Sequence, residues 1–254
     1  MSNVMQATEY RVATDDIIYL CSCAVNSVLP DKNRVAAMDL DGLIKDASRH
    51  MLAAMIGQTL QTMGISTPSF KSAISQAQRK AVTLNYEYLQ VSAALENAGI
   101  WYMPLKGAII KDLYSRFAMR EMSDYDILFD ASRATDVKNI MVEQGFKVKT
   151  FGIGPDDSYI KPPVTNFEMH TALFGDKHDE KLQGYYRNVK DHLLKDEGNN
   201  YGYHFSPEDF YIYLIAHEHK HFQGGGTGLR SLLDTFVYLS STDLDLNYYS
   251  GDKI

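Results

Sequence analysis

MPLKGAIIKDLYSRFAMREMSDYDILFD, residues 103–130, is the stretch whose reading decides the fold. A short apolar strand signal, Ile100 to Leu105, leads into it. Lys106-Gly107 follows, then a helical segment to about Tyr114, then Arg120. The stretch closes on Asp124-Tyr125-Asp126, which runs directly into Ile127-Leu128-Phe129. In a strand, residues two apart point to the same face. Asp124 and Asp126 are therefore expected to project side by side at the start of a strand. Two carboxylates that close repel each other unless a cation or a proton separates them. A hard divalent cation is the economical solution, and Mg²⁺ commonly uses one or two carboxylates together with substrate phosphates. An isolated Asp-x-Asp is ordinarily a solvated turn or strand end. This one sits between a glycine-containing turn and an apolar strand, and that context raises it.

Downstream, strand and helix signals alternate: strand 100–105, helix 107–115, strand 125–129, helix 131–144, then strands 146–150, 158–161 and 164–170. This describes a small mixed α/β unit of about 70 residues, too small to stand alone easily. The last strand ends Phe167-Glu168-Met169-His170, so Glu168 and His170 share a face. Placed beside Asp124 and Asp126, Glu168 would complete a three-carboxylate metal site. The plainer alternative is that Glu168 and His170 lie on a solvated face.

Helical patterns flank this unit. On the N-terminal side they run from Ile17 to Leu29, from Asp39 to Met63 and from Phe70 to Asn97, with apolar residues three and four apart. On the C-terminal side a polar helix is expected near 178–194. Ser206 then reads as an N-cap, with Pro207 at the first helical position. That helix carries Tyr213, Leu214, His217 and His221. QGGGTG (223–228) breaks it, and Leu229–Leu239 forms another, with Arg230 and Asp234. The tail from Ser241 onward is ambiguous and reads as the beginning of a further element. The fold class is therefore α+β: a helical region 1–98, an α/β core 99–174 and a helical region 175–254.

Composition narrows the function. The chain has 254 residues, 45% hydrophobic and 22% charged, enough to bury a proper core. Its net charge of −7 argues against a bulk nucleic-acid binder, which normally shows a basic footprint. Cys21 and Cys23, one residue apart, are poorly placed for a mutual disulfide and too few for a zinc knuckle. No run of about 18 apolar residues suggests a membrane span, and the N-terminus is polar and mixed in charge. A cytoplasmic protein is expected.

His217-Glu218-His219-Lys220-His221 matches H-E-x-x-H, the helical zinc-hydrolase pattern. The extended pattern's third histidine would fall at Thr227, and Lys220 places a positive charge inside the motif. A histidine-rich helix face, or a contact to phosphate or acceptor by His217 or His221, accounts for the residues more simply.

In order, Leu105-Lys106-Gly107, Arg120, Ser123-Asp124-Tyr125-Asp126-Ile127-Leu128, Phe167-Glu168-Met169-His170, His217–His221 and Leu229–Asp234 resemble the bacterial uncharacterised nucleotidyltransferases of the polymerase-β-like superfamily. The resemblance covers roughly residues 84–240. It implies a minimal nucleotidyltransferase fold, a small mixed sheet with helices, held by helical segments on both sides. It also implies transfer of a nucleoside monophosphate from a nucleoside triphosphate such as ATP to a small-molecule or protein hydroxyl, with release of pyrophosphate. By that similarity Asp124, Asp126 and Glu168 are the catalytic carboxylates and hold Mg²⁺ or Mn²⁺. Lys106, Gly107, Arg120 and Ser123 would face the triphosphate. His170, His217, His221 and Arg230 are candidates for acceptor or phosphate contacts. Where the wider superfamily carries Gly-Ser or Gly-Gly at the first turn, this chain carries Lys106-Gly107 followed by Ala108. Other readings of the same residues are a related group transfer, a nucleotide-binding module without turnover, and a zinc hydrolase using His217, Glu218 and His221.

Overall fold

Apolar residues spaced three and four apart call for helices through the first hundred positions. The computed structural model, which describes residues 3–175, 180–223 and 228–245, places helices there. They are α1 (Asn3–Val25), α2 (Lys32–Ala36), α3 (Leu40–Arg49), α4 (Ala53–Gln61) and α5 (Pro68–Asn97). α1 begins well before the expected Ile17. Asp31 and Asp39 cap α2 and α3 by accepting the backbone N–H groups of Arg34 and Asp41, a satisfied orphan donor in each case. The single helix expected over Asp39–Met63 is two. Met51 takes a left-handed φ of 56°, and Leu52 N–H turns back to the Ala47 carbonyl at 2.9 Å, which closes α3. Glu121 then accepts the Ala54 N–H at 2.8 Å, at the start of α4. The apolar period runs straight through this break, and methionine is not a breaker, so the sequence pattern conceals it.

After α5 come β1 (Tyr102–Pro104), α6 (Gly107–Ile110) with a 3₁₀ turn over Lys111–Leu113, β2 (Tyr125–Phe129), α7 (Ala134–Glu143), β3 (Lys147–Thr150), β4 (Asp156–Lys161) and β5 (Thr165–His170). α8 (Glu180–Tyr186), β6 (Leu194–Lys195), β7 (Tyr203–His204), α9 (Pro207–Gln223) and α10 (Leu229–Ser241) complete the described chain. The helix expected at 107–115 is one turn of α-helix plus the 3₁₀ turn. The one expected near 178–194 is α8 and a 3₁₀ turn at Val189–His192; its first two residues lie outside the described residues. So do most of the QGGGTG break and the tail past 245. The β6–β7 ribbon has no counterpart in the sequence reading, because strands of two residues carry no measurable period. No helix among the described residues is long and apolar enough to cross a membrane.

The chain divides into two compact units, each assembled from three separated stretches. The first comprises Met1–Ala81, Lys111–Met122 and Thr227–Val237. Its core includes Ile17, Leu20, Leu52, Met55, Ile56, Leu60 and Phe70, each burial contributing about 1.5–3 kcal/mol. Within this core Asp234 accepts from Arg120 Nε and Nη2 at 2.9 and 2.8 Å and from the Tyr114 hydroxyl at 2.7 Å. All three side chains are buried.

The second unit comprises Val82–Ile110, Ser123–Gly226 and Tyr238–Ile254. Its mixed sheet has the strand order β1-β2-β5-β4-β3. β2 and β5 are parallel, and the other neighbours are antiparallel. Alternation gives the sheet two chemically different faces. On one, Tyr125 stacks between Tyr88 of α5 and Phe167, at ring centroid distances of 4.5 and 5.4 Å, and Phe146 meets Phe167 edge-on. The other face carries Asp126, Glu168 and His170. Ser206 Oγ accepts the Asp209 N–H at 3.1 Å, so α9 starts where its cap predicts.

Candidate functional site

β2 and β5 are in register with Asp126 opposite Glu168 and Leu128 opposite His170. This brings Asp126, Glu168 and His170 to the same face, with one ligand-capable atom from each lying within 4.8 Å of the others. His170 Nε2 is 2.9 Å from Asp126 Oδ1 and 3.9 Å from Glu168 Oε2. Lys106 Nζ reaches the same Asp126 oxygen at 3.3 Å. The backbone explains how Lys106 gets there. Leu105 N–H donates to the Asp126 carbonyl at 3.0 Å, which ties the end of β1 to β2. Lys106 then adopts a left-handed φ of 43° and turns the chain into α6. Such a conformation is uncommon outside glycine and marks a position over-determined by its surroundings.

Electrostatics separate the two carboxylates. Burial pushes the Asp126 carboxyl up, but the Lys106 ammonium and His170 outweigh it and hold it far below the usual carboxylate range. Glu168 goes the other way. Burial, then the charges of Asp126, Asp124 and Asp156, raise it from 4.5 to about 7, against the pull of Lys106. Paired acids whose environments drive them apart are suited to different roles in one site. α9 adds to the same field. Burial, Lys106 and His221 lower His217 to about 2. Burial and Lys106 lower Lys220, opposed by Asp156, Glu168 and Asp126. The Tyr213 phenol is raised by burial and by Asp126 and Glu168.

Other expected residues lie outside that group. Asp124 precedes β2, half-buried, and accepts the Ser123 hydroxyl at 2.6 Å. Its charge acts on Glu168, but it is not in the group within 4.8 Å. β2 begins at Tyr125, one residue after Asp124. Gly107 is buried at the head of α6, a helix of one turn with little dipole to offer phosphate. Arg120 gives its guanidinium to Asp234 and to the Met122 sulfur in the first unit. Arg230, in the same unit, donates to the Glu121 carbonyl at 3.1 Å and to the Met51 sulfur at 2.8 Å. His217 and His221 meet on α9, Nε2 to Nε2, at 3.1 Å.

Two residues of the site went unread in the sequence. Asp156 stands opposite His170 across the β4–β5 pair, where the neighbouring glycines and Pro155 suggested only a turn. Lys220 follows His217 by three positions on α9, so its helical spacing was a usable signal.

Two carboxylates and an imidazole at this separation form a donor set that divalent cations accept. The carboxylates that lift Glu168 are surplus negative charge, which a cation would offset. Among the described residues this is the only group of three or more metal-ligating side chains close enough to share an ion.

Two solved structures show a partial likeness to the chain. One is a lincosamide antibiotic adenylyltransferase, LnuA, with lincomycin bound, at 16% identity over 62% of this chain and 97% of that one, TM-score 0.42. The other is an antigenic nucleotidyltransferase-like protein from Paracoccidioides brasiliensis, at 15% identity over 61% of this chain and 75% of that one, TM-score 0.38. No curated protein matches the chain. Residues 36–252 match the family described as uncharacterised nucleotidyltransferase, and the chain belongs to that family.

Proposed function

We propose that this protein transfers a nucleoside monophosphate from a nucleoside triphosphate to a hydroxyl of a small molecule or a protein, using Mg²⁺ or Mn²⁺. The observation that carries the reading is the convergence of Asp126, Glu168 and His170 within 4.8 Å, with Lys106 on the same carboxylate. Membership of a nucleotidyltransferase family supports the reaction class. Asp126, Glu168 and His170 are the residues that would hold the ion, with Asp124 adding negative charge beside them. The bound ion would neutralise phosphate charge and make a coordinated hydroxyl more acidic. Imidazole among the donors suits Mn²⁺ at least as well as Mg²⁺.

The chain's own groups divide the remaining work. Lys106 and Lys220 supply positive charge for the triphosphate, an electrostatic and positioning role. Asp126 stays ionised. Glu168, drawn close to neutral pH, is matched to accepting the proton of an acceptor hydroxyl. Ser123 orients Asp124 through their 2.6 Å hydrogen bond. Arg120 and Arg230 are assigned to holding the first unit together rather than to phosphate. His217, Glu218 and His221 do not form a group of three metal donors among the described residues, so a zinc hydrolase is not favoured. The net charge of −7 points to small or protein acceptors rather than bulk nucleic acid.

The test is thermal unfolding with each of the four nucleoside triphosphates, with and without Mn²⁺ or Mg²⁺, in the wild type and in Asp126→Asn. A ligand that binds only the folded state raises Tm by mass action. The expected result is a metal-dependent rise with at least one triphosphate that Asp126→Asn loses. An equal rise in the variant, or none with any triphosphate, overturns the assignment.

A further inference from the structure

The first unit holds a cavity that shares no residue with the Asp126, Glu168 and His170 group. α1 contributes Ile17, Ile18 and Cys21 to its lining, and α10 contributes Leu229, Leu232 and Phe236. Within each helix these residues recur at three- and four-residue spacing, so they fall on one face. The two faces come from opposite ends of the chain and belong to the same unit. Apolar faces packed in an ordinary interior interdigitate and leave few voids larger than a water molecule. Here, with Leu52 also in the lining, they border a space of about 280 Å³.

The lining fixes the chemistry of an occupant. Among the described residues no charged side chain borders the cavity. Burial pushes the Cys21 thiol up to about 12, so it stays neutral. The polar residues are Ser22 and Asn26, both exposed, and the Asn26 amide already donates to the Ser22 carbonyl at 2.9 Å. A charged group would lose its hydration there without a partner, whereas apolar surface gains by leaving water. An apolar cavity of about 150 Å³ takes benzene, so this one accommodates about ten carbon atoms. Ile17, Cys21 and Leu52 are 1%, 2% and 1% exposed, whereas Ile18, Leu232 and Phe236 are 50%, 61% and 46% exposed. The cavity therefore runs from the core of the unit to an apolar mouth at its surface. Those three exposed side chains offer on the order of 300 Å², well short of the about 800 Å² per partner of a stable protein interface. A small molecule suits the mouth better than a protein surface does.

We infer that the cavity lined by α1 and α10 binds one uncharged aliphatic molecule, or the aliphatic end of a longer one, of about ten carbon atoms. Its hydrocarbon part lies against Ile17, Cys21 and Leu52, and its polar end faces solvent beside Ser22 and Asn26. The inference stands independently of nucleotide transfer, and its test contains neither nucleotide nor metal.

The experiment is a calorimetric titration of the full chain with straight-chain alcohols, hexan-1-ol, octan-1-ol, decan-1-ol and dodecan-1-ol, in wild type, Cys21→Leu and Leu233→Ala. The wild type is expected to bind one equivalent, with affinity rising about fourfold for each added methylene. That rise should stop near decan-1-ol, where the cavity is full. Cys21→Leu adds bulk at the buried side and should weaken decan-1-ol at least tenfold. Leu233 also lines the cavity and is half-buried, so Leu233→Ala is expected to fold, which far-UV circular dichroism checks. It enlarges the space and should extend the rise to dodecan-1-ol, which keeps the inference open to refutation even if Cys21→Leu does not fold. A wild-type affinity that keeps climbing to dodecan-1-ol, or binding that neither variant changes, would mean adsorption to the surface and overturn the site. No saturable binding of any alcohol overturns it too. If that protein also sediments as a dimer, a second copy fills the cavity instead.

Discussion

Replacing Glu168 by glutamine in the metal-free protein should stabilise it, by an amount that grows from about pH 4.5 to about pH 7 and is constant above that. Folding moves this carboxyl from 4.5 to about 7, which corresponds to about 3 kcal/mol of disfavoured ionisation. The side chain keeps 30% of its accessible surface, and its titration is shared with Asp126, so about 1–2 kcal/mol is the effect to expect. The sign follows from proton binding. An acid whose pKa rises on folding holds its proton more tightly when folded. Its contribution is therefore fully present below about 4.5 and is lost as pH rises through about 7. Glutamine has no proton to lose, so Glu168→Gln should match the wild type near pH 4.5 and exceed its stability above pH 8. Urea unfolding in the presence of a chelator, at several pH values, measures this. A variant as stable as the wild type at pH 8.5, or less stable, would show that the charges of Asp126, Asp124 and Asp156 do not act on Glu168 as described.

Removing the cation next to Asp126 should have opposite effects on two ligands. Lys106→Met takes away a positive charge 3.3 Å from the Asp126 carboxylate, so Mn²⁺ should bind several-fold more tightly and the triphosphate several-fold more weakly; paired titrations that move in the same direction would refute it. In the first unit, Asp234→Ala leaves the Arg120 guanidinium buried without its partner, a change that typically costs about 3–5 kcal/mol. Chemical unfolding should show that loss while Mn²⁺ binding is unchanged. A loss below 1 kcal/mol would mean that the pair is not buried in solution.

Much of this was readable in the linear order of residues. The second unit's sheet follows from short apolar runs punctuated by Gly99, Gly145 and Pro155, and Tyr125–Phe129 is buried along its whole length as a central strand should be. Asp126 and Glu168 were recognisable because alternation fixes which side of a strand a residue faces. The cap at Ser206 was equally local. What was not legible depended on contacts between distant segments. Arg120 and Arg230 look like phosphate ligands in sequence, since any arginine suits an anion. Only the arrival of Asp234, 114 residues after Arg120, shows that Arg120 is committed to an ion pair. Asp124 was expected beside Asp126; β2 begins at Tyr125, and Asp124 lies outside the group within 4.8 Å while its charge acts on Glu168. The break at Met51 depends on Glu121 supplying an acceptor to α4, which no local pattern announces.

The sequence by itself determined most of the secondary-structure types and the acids on the strands, because these rest on periodicity and on the chemistry of neighbouring residues. Tertiary structure alone decided which segments share a unit, and that His170 stands with Asp126 and Glu168 in a cluster within 4.8 Å. It also brought the Lys106 ammonium to 3.3 Å from the Asp126 carboxylate. The physical reason is that charge interactions and donor geometry depend on separations in space of a few ångströms. Strand register and the left-handed turn at Lys106 set those separations, and neither is a property of any short stretch read alone.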